Sequence, residues 1–233
     1  MSFEIAKKCF LRWQESTREP SLTALLIVEV ALIFVVVPLV AFGLAPLGVL
    51  TMMVLLFVMA SLVVASQSRM AMIVLTVSIV LNLVAGFIHA VHPSALTQWL
   101  GGGASHIAIC AVSWVIVKAV FGPGRLTAYR IQAAIVLYLN LALFFFTLYR
   151  FLMALAPDAF LGIHYETNSF LPAADLLYFS FVVLANVSNV DFTSLRPIVR
   201  TLVTLESVVG LLYPAMLLVG FVSLKFEHWT RRT

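Results

Sequence analysis

Six long apolar runs take up most of this chain and constrain its fold more than any other feature. They lie at roughly 22–42, 45–65, 70–91, 104–121, 131–155 and 199–222. About 20 apolar residues suffice for one helical crossing of a bilayer. Only 10% of the residues are charged, against about 25% in soluble domains, so a soluble enzyme is excluded. The sequence predicts an all-α membrane protein with six transmembrane helices.

The distribution of basic residues predicts how these helices are oriented. Six crossings place both termini on one side, and eleven of the 14 lysines and arginines fall on that side. The opposite side has Arg150, Arg196 and Arg200. Because short cytoplasmic segments carry an excess of Lys and Arg, we expect a multi-pass protein with both termini in the cytoplasm. The net charge of +4 has the same origin, so the expected surroundings are the lipid bilayer, and nucleic acid is not an expected partner.

The interval 156–198 does not fit a plain bundle of six helices. Its middle holds an apolar run over 173–185, which is too short to span a bilayer but long enough for a re-entrant half-helix. Pro172 near the start and Asp175 in the first turn are the residues expected at a helix N-terminus. Irregular backbone at membrane depth must be buried in protein or line a cavity. A helix, a half-helix, an extended stretch and a further helix predict a pore module, with the half-helix directing its carboxyl end at a cation site.

Three segments of this region resemble the potassium-channel superfamily. Asp175-Leu-Leu-Tyr-Phe-Ser-Phe-Val-Val-Leu184 resembles its pore helix. The stretch 195–213, with Glu206 and Gly210, resembles the inner helix of bacterial members, and 124–132 resembles the linker that enters their outer helix. The resemblance covers about 120–222. It implies a bacterial inner-membrane protein with the tetrameric cation-channel fold, in which four identical chains surround one pore.

The resemblance also implies a division of the chain into three parts. Residues 1–21 are a cytoplasmic N-terminal segment, 22–121 a four-helix voltage-sensor-like domain, and 122–233 the pore domain. Within the pore domain the expected elements are an outer helix at 131–155, a pore helix at 173–185, a filter-equivalent stretch at 186–190 and an inner helix at 199–222. A voltage sensor needs a repeated arginine or lysine in its fourth helix. The fourth run has Lys118 alone, so we expect no voltage gating of the usual kind.

The filter-equivalent residues depart from the pattern of the family. The family filter reads Thr-Val-Gly-Tyr-Gly-Asp, preceded by another Thr. Alignment on the pore helix places five residues at the filter positions and Asp191 after them: Asn186, Val187, Ser188, Asn189 and Val190. Only Val187 and Asp191 match. Glycine adopts left-handed dihedrals freely, whereas other residues pay roughly 1–2 kcal/mol, and the β-branched Val190 tolerates them worst.

Two functions follow from this departure. We expect a hydrated, weakly selective cation pathway lined by the amide and hydroxyl groups of Asn186, Ser188 and Asn189 from four chains. The alternative is a collapsed filter, in a non-conducting relative that acts as a membrane scaffold or partner subunit. Monovalent cations in a conducting pore are the only ions expected, with no cofactor and no metal site. A small transporter or membrane enzyme is disfavoured because the sequence has no inverted repeats and no midplane cluster of acids and histidines.

Four further residues have predicted roles within the spans. Glu206 is expected to brace the pore helix from behind, with a pore-lining position as the alternative. Gly210 is either a gating hinge or a site of close helix packing. Pro214 is expected to kink the inner helix. Glu29, in the middle of the first span, is functional by default; the alternatives are a protonated acid or a structural hydrogen bond, for example to Asn82 or Ser78.

Overall fold

The computed structural model describes residues 20–92, 94–122, 128–155, 171–187 and 196–230. Within these ranges the regular structure is entirely helical. The helices are α1 (Pro20–Ala41), α2 (Leu47–Ala65), α3 (Arg69–Val91), α4 (Ala95–Phe121), α5 (Ala128–Leu155), α6 (Leu171–Leu184) and α7 (Pro197–Thr230). All of them except α6 are long and apolar enough to cross a membrane. The predicted six apolar spans are therefore confirmed, and the chain is a multi-pass membrane protein.

The start of α4 differs from the sequence prediction. The fourth span is predicted to begin near residue 104, but α4 begins at Ala95 and continues through the three glycines 101–103. Two packing features explain this. A Cβ atom on Gly102 would overlap the ring of Phe151, so this glycine permits α4 and α5 to approach closely. The Gly101 carbonyl accepts a hydrogen bond of 3.2 Å from the Asn82 amide on α3.

The first helix changes its hydrogen-bonding pattern part of the way along. Residues Leu32–Val36 form a π-helical turn, in which the Val37 N–H donates to the Leu32 carbonyl. Pro38 follows this turn and has no N–H to donate. The wider turn therefore lies where the regular ladder of helical hydrogen bonds is interrupted.

The described residues belong to two compact units. The first unit comprises those within Met1–Val77, Ala111–Gly122 and Thr127–Leu137, and the second those within Ser78–Cys110 and Tyr138–Thr233. In the first unit, Thr23 of α1 donates a 3.0 Å hydrogen bond to the Gln132 side chain of α5. Its fully buried side chains include Leu25, Val64 and Ile116.

The core of the second unit joins α5, α6 and α7. Its buried side chains are Phe145, Tyr149, Met153, Leu176, Val183, Val199 and Val203. Phe179 of α6 packs against this cluster, with its ring 5.4 Å from that of Tyr149. The short helix α6 is thus held by apolar packing against two of the long helices.

Large apolar side chains remain exposed along the long helices. Leu83 and Phe87 on α3 are examples, as are Leu211, Leu218 and Val219 on α7. Soluble proteins rarely expose apolar surface on this scale. These faces fit contact with lipid or with other apolar helices.

Candidate functional site

The candidate site is the carboxyl end of α6 together with the part of α7 that packs against it. The structure brings together Ser180, Leu184 and Asn186 from the α6 region with Glu206 and Gly210 from α7. The prediction that α6 begins near residue 173 is nearly right, since the helix runs Leu171–Leu184. Because it begins two residues earlier, Asp175 is its fifth residue and lies beyond the first turn, which contains no acidic residue. The expected first-turn position of Asp175 is wrong, and its side chain is exposed.

Glu206 lies at the centre of a buried hydrogen-bonded group. Its side chain is fully buried. One carboxyl oxygen, Oε2, accepts a 2.5 Å hydrogen bond from the Tyr149 hydroxyl of α5, and the other, Oε1, lies 2.5 Å from the Ser180 Oγ of α6. Pairing of both oxygens offsets the cost of burying a carboxyl group. Glu206 therefore ties α7 to both α5 and α6, which is the bracing geometry expected for it.

The Ser180 hydroxyl has two possible acceptors, the Glu206 carboxyl group and a backbone carbonyl of α5. The Ser180 Oγ is also 2.8 Å from the Ala142 carbonyl oxygen. A serine hydroxyl has one hydrogen, so it donates either to Ala142 or to Glu206. When it donates to Ala142, a hydrogen on the carboxyl group of Glu206 completes the bond to Ser180. A neutral side chain of the same shape thus fits this position.

Gly210 lies against the last residue of α6. A Cβ atom built on Gly210 would overlap the carbonyl oxygen of Leu184 and would lie 2.7 Å from its carbonyl carbon. Real Cβ atoms do not approach other atoms so closely, and backbone atoms cannot rotate away as a flexible side chain can. Because residue 210 has no side chain, the end of α6 can pack directly against α7. Close helix packing is one of the two roles predicted for Gly210.

The end of α6 is capped by a Schellman motif centred on Asn186. The Val187 N–H donates to the Val182 carbonyl at 3.1 Å, and the Asn186 N–H donates to the Val183 carbonyl at 3.0 Å. Asn186 has φ 54°, and it is the one non-glycine residue with positive φ in the described part of the chain. Asparagine is a usual alternative to glycine at this position of a Schellman motif. Left-handed backbone is thus present at the first filter-equivalent residue.

The Asn186 side chain joins this cap to α7. Its Nδ2 donates to the Ser207 carbonyl oxygen at 3.0 Å, and its Oδ1 accepts a hydrogen bond from the Ser207 hydroxyl. The amide that was expected to line a pathway is therefore hydrogen-bonded to the neighbouring helix of the same chain. Its neighbour Val187 is exposed, with 78% of its side chain accessible.

The other predicted site residues are distributed as follows. Ser188, Asn189, Val190 and Asp191 lie outside the described residues. Pro214 is inside α7, which continues through it to Thr230, and its side chain is exposed. Next to it, Tyr213 is buried with its ring 5.8 Å from that of Tyr138 on α5. Within the described ranges no group of three or more His, Cys, Asp or Glu side chains could hold a metal ion.

Sequence reasoning missed the partners of the two central side chains. Ser180 is the one serine in an apolar half-helix, and this is the signal that could have indicated its contact with Glu206. Tyr149 and Ser207 carry no such signal. The side chain of Glu29 is fully buried, and its carboxyl oxygens have no hydrogen-bond partner among the described residues, so the hydrogen bond considered as one alternative is not found there.

Comparison of the chain with protein-family models, with curated proteins and with solved structures finds no match.

Proposed function

We propose that this chain is one subunit of a homotetrameric, potassium-channel-like ion channel with an atypical, weakly selective cation filter. We place it in a bacterial inner membrane with both termini in the cytoplasm, and we propose no enzymatic activity. The observation that carries the proposal is the attachment of α6. This helix is too short to cross a bilayer, yet the Glu206 hydrogen bonds and the Gly210 contact fix its carboxyl end on α7. Two crossing helices with a short helix anchored between them have the arrangement of a pore module.

The tetramer follows from what one chain can enclose. The described residues contain no second short apolar helix that could face α6 across a pore, so we infer that the pore forms between copies of the chain. Closed rotational symmetry is the usual solution for identical chains. The exposed apolar side chains of α7, such as Leu211 and Leu212, offer surface for neighbouring chains.

The weak selectivity is supported by the chemistry at the end of α6. A potassium filter uses rings of carbonyl oxygens that replace the hydration shell of the ion. Here the backbone of Asn186, the first filter-equivalent residue, belongs to the cap of α6, since its N–H donates to the Val183 carbonyl. The Asn186 side chain is likewise occupied by Ser207. The groups at the end of α6 therefore add no potassium ligands to those that residues 188–191 supply.

The same observation favours a second candidate. In the cap, the hydrogen-bonding groups at the end of α6 are paired with each other and with Ser207. This arrangement suits a channel relative that has the same fold but does not conduct ions. In that case the chain acts as a membrane scaffold or as a partner subunit. The two candidates differ in whether purified protein passes cations.

Replacement of the filter-equivalent residues tests both candidates. The variant changes Ala185 through Val190 to Thr-Thr-Val-Gly-Tyr-Gly, and its control carries Thr-Thr-Val-Ala-Tyr-Ala at the same positions. A β-branched threonine at position 186 disfavours the left-handed backbone of the present cap. The two glycines each remove a penalty of about 1–2 kcal/mol for left-handed dihedrals, in all four chains.

Cation flux into liposomes is the measurement. We expect the glycine variant to pass potassium in preference to sodium, the alanine control to lack that preference, and the native protein to pass both ions with little preference. A native protein with strong potassium preference would contradict the proposal. A native protein and a glycine variant that both pass no ions would favour the non-conducting candidate.

A further inference from the structure

The second unit contains a polar cavity far from α6 in sequence that the proposed channel does not use. Its volume is about 360 Å³, and it lies between α3, α4 and α5. The residues around it include His89, His106 and Arg150, and none of the described lining residues is acidic. Three basic side chains from three helices therefore face one cavity, with no carboxylate among the described residues of its wall.

The hydrogen bonds of the wall fix the tautomer of His106. Its Nδ1 lies 2.6 Å from the Gly102 carbonyl oxygen, which can only accept, so Nδ1 carries the hydrogen, and its Nε2 lies 3.4 Å from the Thr147 hydroxyl. His89 Nδ1 lies 2.8 Å from the Thr97 hydroxyl, which can donate its one hydrogen either to His89 or to the Ser94 carbonyl at 2.8 Å. Both imidazole rings are thus held by hydrogen bonds of the cavity wall.

Acceptor groups in the wall are already paired with the neutral donors of the wall. The Gly101 carbonyl accepts hydrogen bonds from Asn82 at 3.2 Å and from Ser105 at 2.9 Å. The Thr147 hydroxyl donates to the Phe144 carbonyl at 2.9 Å. These contacts pair some of the acceptors near the wall, and the charged side chain among the described lining residues is the positive one of Arg150.

Arg150 is the fixed positive charge of the cavity. Its side chain is exposed and lines the cavity. A guanidinium offers five N–H donors in a planar fork that matches a phosphate or carboxylate. The Gln98 side chain, which also lines the cavity, has an amide group that can donate to the same ligand.

The size and the position of the cavity indicate the kind of anion. Small residues, among them Ala85, Gly86 and Ala154, leave room for a group larger than a single ion. His89 is two residues from the end of α3, and Arg150 is five residues from the end of α5. At 1.5 Å per residue His89 and Arg150 lie within about 10 Å of their helix ends, whereas His106, 11 residues after the start of α4, lies about 16 Å from its end. The cavity therefore extends inward from the region of the lipid headgroups.

We propose that this cavity binds a phosphate group of net negative charge. The guanidinium fork of Arg150 and the amide of Gln98 would donate to its oxygens. The source is either the headgroup of an anionic phospholipid or a free phosphate, and the chemistry of recognition is the same for both. The site does not depend on whether the chain conducts ions.

Substitutions that act on charge and on volume separately test this site. Arg150→Gln removes the fixed charge, and Arg69→Gln removes an exposed arginine at the other end of α3 as its control. Gly86→Leu fills the cavity, because Gly86 lines it and a Cβ atom there would contact nothing within 4 Å. Gly103→Leu is the matched control, since Gly103 has equally open space but does not line the cavity.

The readout is the melting temperature of the purified protein in detergent with three additives. These are dioctanoyl-phosphatidylglycerol, its zwitterionic counterpart dioctanoyl-phosphatidylcholine, and inorganic phosphate. A ligand that binds the folded state raises the melting temperature with concentration. We expect phosphatidylglycerol to stabilise the native protein and both controls, and phosphatidylcholine to do so much less. Arg150→Gln and Gly86→Leu should need roughly tenfold to a hundredfold more lipid for the same rise, as expected for loss of a charged hydrogen bond.

The measurement with inorganic phosphate distinguishes the two sources of the bound phosphate group. Stabilisation by inorganic phosphate that both variants abolish supports the site with a free anion as its ligand. Stabilisation by phosphatidylglycerol alone supports it with a lipid headgroup. The proposal is overturned if neither additive stabilises the native protein, or if the stabilisation persists unchanged in Arg150→Gln and Gly86→Leu.

Discussion

Substitution of Gly210 by alanine tests how the short helix is attached to α7. The added methyl group would overlap the Leu184 carbonyl oxygen, and relief requires the whole end of α6 to move away. Inserting a methyl group into a well-packed contact costs typically about 1–3 kcal/mol, and a backbone atom as the obstacle favours the upper part of that range. For a chain of this size, each kcal/mol lowers the melting temperature by roughly 2–4 °C.

Gly220→Ala is the internal control for this experiment. Gly220 lies on the same helix, and a Cβ atom there would contact nothing within 4 Å. Alanine is favoured over glycine in a helix by about 0.5–1 kcal/mol, so this variant should be as stable as the native protein or slightly more so. The assay is thermal denaturation of both variants in the same detergent. Equal melting temperatures for Gly210→Ala and Gly220→Ala would refute the packing argument.

Two further predictions concern the same region. Glu206→Gln keeps an acceptor for the Tyr149 hydroxyl and a donor for Ser180, so it should melt close to the native protein. Glu206→Leu removes those bonds and should lose about 1–3 kcal/mol; equal stability of the two variants in thermal denaturation would show that the hydrogen bonds are unimportant. At the helix cap, Asn186→Ala should destabilise by about 1–2 kcal/mol more than Asn186→Gly, because glycine keeps left-handed backbone at no steric cost. No difference between the alanine and glycine variants in the same assay would contradict the Schellman cap.

The sequence predicted the long helices because each contains a run of apolar residues long enough to cross a bilayer. It failed at the start of α4, where three consecutive glycines are typical of a break. There the close contact between Gly102 and Phe151 favours the helix over the break. Such a contact depends on a residue far along the chain, and local propensity does not contain it.

The candidate site could be predicted only in part. Glu206 stands out as a carboxyl group in an apolar helix, and an apolar half-helix was visible before it in the sequence. The hydrogen bonds between Asn186 and Ser207 were not predictable, because they depend on the left-handed backbone at Asn186 and on the register of α6 against α7. The cavity was missed for the same reason, since His89, His106 and Arg150 are distant in sequence and come together only through helix packing.

The central claim is that the native protein conducts cations with little selectivity. The most direct test is the reversal potential of currents through the purified native protein in a planar bilayer, with potassium on one side and sodium on the other. The proposed function predicts measurable current that reverses close to zero voltage. Reversal far from zero, in the direction of strong potassium preference, would contradict the interpretation of Asn186–Val190, and absence of current at any voltage would contradict conduction itself.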